Sequence, residues 1–473
     1  MNVDASVLAG IDTVTTAFSV ALTGAVAQGV TYLWDFGDGT TSTEAAPTHT
    51  YACGGYYTVT LTVTDVADPT RTATFSQSDM IKVTPSVAYV RAVGESTPKA
   101  PYATPATAAN TLQAAYQAAP ARAIDVGEGT ISIGTESFSV KLPIEIRGKG
   151  PETTIINAAN GRLTLANRDA ILADLTIRSA PADWNTGMLT LQNATVTNCV
   201  LRDGTSSGSA AIQMSGGRVS GCVIRAMRNY NGRGGAIRVD ASGTIGNLVE
   251  NTVISNCTSD ISGTNNEGRN GVQGAAVRAA APLTMRNCLV SDNLADTAKF
   301  PTYNYEARNL SSAIYAESDL LLENCSVVGN VLRQENAVDG AAIYAAAGLA
   351  MTNCVVWGNV ATNTLHGGEE TVRDVFVADG KAASFSHCDF AEAGTIASAS
   401  VTTDACFARD PLFRNAPGGN FTFGSASPLV NAGVRLPWMA GARDLDGYPR
   451  LLGRPDIGCF ESQTAARTLL LVQ

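Results

Sequence analysis

Side chains able to bind or process a polar polymer crowd into four stretches of the chain, 257–274, 294–311, 331–340 and 360–375. The strongest candidates are Tyr303, Tyr305, Glu306 and Arg308 in the second stretch, with His366 and Arg373 in the fourth. Tyr rings stack on sugar rings, while Arg and carboxylate groups hydrogen-bond hydroxyls and acidic substituents; together they make a carbohydrate-binding surface. The same residue types would serve a lyase, in which an Arg, Lys, His or Tyr removes a proton beside a uronate carboxylate neutralised by Arg or calcium. They would also serve a hydrolase, in which two carboxylates flank the bond. Solvated surface charge is the plain alternative to all three. Residue type alone does not choose, so these six side chains are assigned to binding and none to catalysis.

What positions them is a repeat. Asn198-Cys199-Val200-Leu201, Gly221-Cys222-Val223-Ile224, Asn251-Thr252-Val253-Ile254, Asn287-Cys288-Leu289-Val290, Asn324-Cys325-Ser326-Val327 and Asn353-Cys354-Val355-Val356 recur at intervals of 23 to 37 residues. The later copies are preceded by a small-residue strand such as Gly235-Ala236-Ile237 or Ser312-Ala313-Ile314. Short strands at this period, with no room for a crossover helix, predict a parallel β-helix. Successive coils stand about 4.8 Å apart, so a position that recurs stands above its counterpart. Cys and Val/Ile are then inward files, and Asn at the turns can bond the Asn above and below. Insertions made at one turn of successive coils leave from one corner and line a common face.

Ten Cys would ordinarily suggest a disulfide framework. Parallel strands aim equivalent side chains alike, so Cys199, Cys222, Cys288, Cys325 and Cys354 are expected as buried free thiols; Cys257 is offset from the ladder position, and Cys406 with Cys459 is the one plausible pair. The 473 residues allow two or three domains, and a net charge of −10 leaves no basic face for nucleic acid. The terminal Leu469-Leu470-Leu471-Val472 is too short to span a bilayer.

Residues 1 to about 85 alternate apolar and polar, as in Tyr57-Thr58-Val59-Thr60-Leu61-Thr62-Val63, which predicts half-buried antiparallel strands. The string Trp34-Asp35-Phe36-Gly37-Asp38-Gly39-Thr40, followed by Pro47-Thr48-His49-Thr50-Tyr51, closely resembles a polycystic-kidney-disease (PKD) domain and implies an immunoglobulin-like β-sandwich. Asp35 and Asp38 are read as turn residues rather than calcium ligands. Ser96 to Pro105 is expected as a linker, followed by a helix with Ala108, Leu112, Ala115, Tyr116 and Ala119 on its apolar stripe. That helix, the strand at Ile124-Asp125-Val126-Gly127-Glu128-Gly129-Thr130 and the strand at Ile144-Glu145-Ile146-Arg147-Gly148-Lys149-Gly150 look like the start of a right-handed parallel β-helix of the pectate-lyase-like superfamily, with the helix as a cap. The repeats, among them Gly234-Gly235-Ala236-Ile237 and Val327-Val328-Gly329-Asn330, also resemble those of polymorphic outer-membrane proteins.

From Asp410 the pattern changes. Asp410-Pro411-Leu412-Phe413, Ser427-Pro428-Leu429-Val430-Asn431-Ala432-Gly433, Asp444-Leu445-Asp446-Gly447-Tyr448-Pro449-Arg450 and Asp456-Ile457-Gly458-Cys459-Phe460-Glu461 resemble the choice-of-anchor Q segment found after bacterial β-helices. Asp444, Asp446, Asp456 and Glu461 are read as turn and capping residues, with calcium as the alternative. The expected organisation is an all-β chain: 1–86 a sandwich, 87–123 linker and capping helix, 124–409 the β-helix, and 410–473 the anchor-like segment. Two enzyme signatures are missing, the Asn-Thr-Asp with Gly-His-Gly pattern of polygalacturonase-like hydrolases and the calcium and Arg pattern of pectate lyases. His387, beside Cys388, is read as structural.

These resemblances imply an extracellular or surface-associated monomer contacting a polysaccharide. Lyase or hydrolase action on an acidic glycan is the runner-up and a structural stalk or adhesin the third reading. No cofactor is expected, calcium being the one alternative. Met1 to Ser6 lack the basic and apolar stretches of a signal peptide, so export is expected from the domain types alone.

Overall fold

The computed structural model describes the chain except residues 24–28, 119–120, 135, 160, 180–186, 207–210, 231, 233, 261–271, 297–309, 335–339, 364–369, 372–373, 392–399, 452 and 463–473. It divides into two units, the first comprising Met1–Gly134 with Ile144–Lys149.

In the first unit, Asn2–Ala5, Val14–Ala21 and Thr48–Tyr51 form one antiparallel sheet. Ala9–Ile11, Thr72–Thr84, Gly55–Asp65, Val30–Asp35 and Thr41–Ser42 form the other. Period-two alternation buries Phe18, Trp34, Tyr51, Leu61 and Ile81 in one core drawn only from this sandwich. Asp35 and Asp38 act in turns: Asp35 accepts from the Gly37 N–H at 2.9 Å, and Asp38 from the Thr40 N–H at 3.0 Å. The second oxygen of Asp38 meets His49 Nε2 at 2.7 Å, and the His49 ring stacks on Phe36.

The stretch expected as linker holds a solenoid strand. Val87–Val90 pairs in parallel with Ala123–Val126, which pairs with Glu145–Arg147. Ser96 to Lys99 fold back onto Ala106, Thr107 and Ala108 through hydrogen bonds of 2.9 to 3.1 Å. The helix is Leu112–Ala118, starting later than its apolar stripe suggests. Ala109 exchanges backbone hydrogen bonds with Tyr89 and Arg91, and this pairing holds Ala108 and Ala109 extended.

The second unit is the solenoid. Each coil visits up to four parallel strands, named here A, B, C and D. One full coil runs Asn247–Glu250 (A), Val253–Ser255 (B), Thr258–Asp260 (C) and Val277–Ala279 (D). Stacking like strands builds four sheets, sheet A ending with Ser400–Asp404 and sheet D with Val375–Val377. The residue before each ladder position, which is Leu175, Thr252 or a Cys, turns the chain from A to B, and there Asp174, Asn198, Gly221, Asn251, Asn287, Asn324, Asn353 and His387 all have φ between 48° and 63°. Gly, then Asn, Asp and His, enter this left-handed conformation most readily, which explains the Asn of the motif. The amides also link coils: Asn287 Nδ2 donates to Asn251 Oδ1 at 2.7 Å and Asn353 Nδ2 to Asn324 Oδ1 at 3.1 Å.

The cysteines behave as ladder rungs. Cys199, Cys222, Cys288, Cys325, Cys354 and Cys388 are free and buried. Each thiol donates to the carbonyl two residues back, at 3.1 to 3.5 Å. Cys257 belongs to a second file at the B-to-C turn, with Asn293, Asn330 and Asn359. Asn293 Nδ2 donates to Asn330 Oδ1 and Asn330 Nδ2 to Asn359 Oδ1, both at 2.9 Å, and the Cys257 N–H donates to Asn293 Oδ1 at 3.0 Å. The Cys406–Cys459 pairing is not present. Both are free, because Cys459 lies outside sheet B, donating to Ser326 Oγ at 3.2 Å, whereas Cys406 follows Cys388 in the inner file. Replacing Cys325 with Ser should destabilise the second unit by about 1–3 kcal/mol, since a hydroxyl would replace a thiol in the dry interior. Chemical denaturation checks this, and an unchanged midpoint would mean the rung tolerates polarity.

Residues 410–462 lie along the A-to-B corner and the outer face of sheet B. Phe421, Phe423, Leu429, Ile457, Cys459 and Phe460 pack on Leu289, Val328 and Val355, so Leu289–Ser291 and Ser326–Val328 are buried on both faces. The ladder amides bond this segment: Asn287 Nδ2 donates to Arg443 O at 2.9 Å, Asn324 Nδ2 to Asp456 O at 3.2 Å and Asn353 Nδ2 to Val434 O at 2.7 Å. Arg450 is fully buried, donating to Glu461 Oε1 at 2.8 Å and to Asn287 Oδ1. Asp444 accepts from the Tyr448 and Glu461 N–H groups at 2.7 Å, and Asp456 from those of Asn431 and Ser462 at 2.6 Å. Both carboxylates thus make the capping contacts expected of them.

Candidate functional site

The insertions leave from one line. Asp260, Asp296, Arg333 and Thr362 are in-register partners on consecutive C strands, and the four long stretches follow those strands before the chain resumes in sheet D. Neighbouring departure points are therefore one coil, about 4.8 Å, apart. Tyr303, Tyr305, Glu306, Arg308, His366 and Arg373 all lie outside the described residues.

The described base of this corner is charged. Arg228 donates to Asp260 Oδ2 through Nε at 3.0 Å and Nη2 at 2.8 Å, and Arg333 Nη1 reaches Asp296 Oδ2 at 3.3 Å. The two carboxylates are almost fully buried, whereas the Arg side chains keep 49% and 44% of their exposure. Two stacked carboxylates would repel one another, and an Arg from the coil on either side compensates each. The Arg members of these two pairs are thus the more exposed ones at the corner.

Beside it, sheet D carries a row of outward side chains in register: Gln213, Arg238, Arg278, Tyr315, Tyr344 and Phe376. Arg238 and Gln213 both bond Asp240 at 2.5 Å, and Arg278 bonds Glu317 at 2.6 Å. The rings of Tyr315 and Tyr344 stack at 5.2 Å, and those of Tyr344 and Phe376 at 4.8 Å. Tyr315 and Tyr344 are 4% and 5% exposed, and burial pushes the Tyr315 hydroxyl up to about 12. Tyr344 carries a ring on each face and Arg238 and Arg278 are held in ion pairs, so this file stiffens the sheet. Sequence reading passed over this row. Its signal is the residue after each Ala-Ile or Ala-Val pair, which strand alternation turns outward: Arg238, Arg278, Tyr315 and Tyr344.

A second concavity, of 910 Å3, runs along the outer face of sheet A between Ser242 and Thr402. Its lining is mostly aliphatic, with Ile245, Leu248, Leu320, Leu321 and Leu349, and Arg286 and Asp319 are its charged members. Asp319 is engaged, accepting from the Gly348 N–H at 3.0 Å. Among the described residues no group of three or more His, Cys, Asp or Glu could hold a metal ion, and no helix is long and apolar enough to cross a membrane. His387 occupies the A-to-B turn and contacts Ser386 Oγ through Nδ1 at 2.9 Å. Asp389, raised by burial to about 7, is fully buried and has no access to a polymer.

Comparison with known proteins places modules on this architecture. Residues 6–83 match the PKD domain model, and residues 184–390 match the right-handed beta helix region model. Pre-pro-metalloprotease PrtV of Vibrio cholerae is 72% identical over 36 residues, 8% of this chain and 4% of that protein. Collagenase ColA of Bacillus cereus is 69% identical over 36 residues, again 8% and 4%. The match thus spans a small fraction of these relatives' length. A solved catalytic domain of a GH87 alpha-1,3-glucanase in complex with nigerose aligns over 83% of this chain and 88% of that one, with 12% identity and a TM-score of 0.30. The chain is thus a PKD domain joined to a right-handed parallel β-helix.

Proposed function

We propose that this protein works outside the cell or at its surface and contacts a polysaccharide through the corner from which the four insertions leave. The observation that carries this reading is the in-register line of Asp260, Asp296, Arg333 and Thr362. The stretches bearing Tyr303, Tyr305, Glu306 and Arg308, and His366 and Arg373, start two coils apart on that line, about 10 Å along the axis. Such spacing suits a few sugar units. The half-exposed Arg228 and Arg333 beside it favour a glycan bearing carboxylate or other acidic substituents. Attachment through the C-terminal segment belongs to the same reading and rests on its resemblance alone.

Binding on a glycan array, with a parallel absorbance assay for unsaturated uronate ends, tests this. We expect retention of acidic glycans without new unsaturated ends, and at least a tenfold loss of affinity after joint replacement of Tyr303, Tyr305 and Arg308 by Ala. Unchanged binding in that variant would remove the corner as the site, and unsaturated products would promote the lyase reading.

A further inference from the structure

The inner cysteine file ends at Cys406, the one rung that reaches solvent. Cys199 through Cys388 are buried, whereas Cys406 is half-buried. It stands directly over Cys388. Ser386 pairs with Asp404, Asp389 bridges to Phe407, and the Phe407 N–H donates to Cys388 O at 3.0 Å. The preceding residues, His387 and Ala405, share the left-handed turn conformation, with φ of 51° and 50°. Each thiol donates to the carbonyl two residues back, Cys388 to Ser386 O at 3.3 Å and Cys406 to Asp404 O at 3.4 Å. Adjacent parallel strands hold paired Cα atoms about 4.8 Å apart, inside the roughly 4.4–6.8 Å span that a disulfide bridges. Parallel strands aim both side chains alike, which leaves their Cβ atoms near the coil spacing and just beyond the roughly 3.5–4.5 Å of a disulfide, so closure needs both thiols to rotate off those carbonyls and the end strand to move slightly toward its single neighbour.

We propose that Cys388 and Cys406 form an oxidisable pair, closed by an external disulfide of the oxidised-glutathione class, that staples the last rung of the solenoid to the one before it. The Cys406 thiolate attacks the external disulfide, forming a mixed disulfide and releasing one thiol. The Cys388 thiolate then attacks the Cys406 sulfur, expelling the second thiol. Two cysteine thiols and one external disulfide thereby become one internal disulfide and two external thiols. The neighbouring Cys388 sulfur, and after it burial, raise the Cys406 thiol, so closure is slow at neutral pH and accelerates as pH rises. Its structural consequence falls at a vulnerable place. Ser400–Asp404 is the terminal strand of sheet A, and a solenoid's end coil has a neighbour on one side only.

The experiment is to incubate the reduced full chain with oxidised glutathione at pH 8.5 and map its disulfides by peptide mass spectrometry without reduction. The expected product links Cys388 to Cys406, while exposed Cys53 carries glutathione and reports that the oxidant acted. Cys406→Ser should abolish the link and Cys388→Ser should leave glutathione on Cys406; the oxidised wild type should melt higher than the reduced form and the Cys406→Ser variant should not. A persistent glutathione adduct on wild-type Cys406, a link among other rungs, or an unmodified Cys388 and Cys406 with Cys53 fully modified would overturn the proposal.

Discussion

Replacing Arg450 with Met should destabilise the second unit by about 3–5 kcal/mol, because removing one partner of a buried ion pair strands the other. Arg450 is fully buried, pairs with Glu461 at 2.8 Å and also bonds the ladder residue Asn287. Its loss leaves the Glu461 carboxyl, which burial already pushes up to about 8, without the cation that favours its charged form, and Asn287 Oδ1 without its donor. Urea unfolding followed by near-ultraviolet circular dichroism measures the loss. Joint replacement of Arg450 by Met and Glu461 by Gln should recover part of it, since the stranded charge is then gone. A cost below about 1 kcal/mol for the single variant would mean that the C-terminal segment is not fastened to the Asn ladder through this side chain.

A second large effect is expected from pH. Asp389 is buried between coils, and its carboxyl is raised to about 7, first by burial and then by the nearby charge of Asp374, against the pull of the Arg409 N–H. Oδ1 accepts from Arg409 at 2.9 Å, whereas Oδ2 has no hydrogen-bond partner. A carboxyl raised in the folded state is the reverse of a salt-bridged Asp. Its contribution is complete below the unfolded value near 4 and disappears as pH climbs through about 7, because the folded chain holds its proton longer. The difference is on the order of 2–4 kcal/mol between pH 4 and pH 8. Asp374, whose Oδ2 accepts from the Ala391 N–H at 2.7 Å, is the facing carboxylate and must stay intact in the comparison. Melting wild type and Asp389→Asn across this range isolates the effect: the wild type should lose stability relative to the variant as pH rises. Parallel curves would mean that Asp389 titrates as an ordinary surface carboxylate.

The repeat was legible in sequence for a physical reason. Asn-Cys answers two demands at one corner, a left-handed residue followed by a small inward one, and stacking enforces both in successive coils. Cys257 looked anomalous because it answers to another corner, where Asn293, Asn330 and Asn359 stack. The double burial of Leu289–Ser291 and Ser326–Val328 was present as uninterrupted apolar or small residues, yet nothing local says that a segment far downstream in the chain covers them. The helix began later than its stripe because Ala109 pairs with Val87–Val90, a partner that periodicity does not reveal. At the candidate site, the common departure line was readable from where the insertions fall, whereas the Arg228–Asp260 and Arg333–Asp296 pairs depend on register between coils. The stacked file of Tyr315, Tyr344 and Phe376 depends on register too, since these residues are far apart in sequence.

Hydrogen–deuterium exchange, with and without the acidic glycan that binds best on the array, tests the proposed binding corner most directly. Exchange should slow in peptides spanning 258–310 and 331–375, with the sheet A groove, represented by Leu283–Arg286, Leu320–Glu323 and Leu349–Thr352, unchanged. Protection confined to those groove strands, or to the PKD domain, would contradict it.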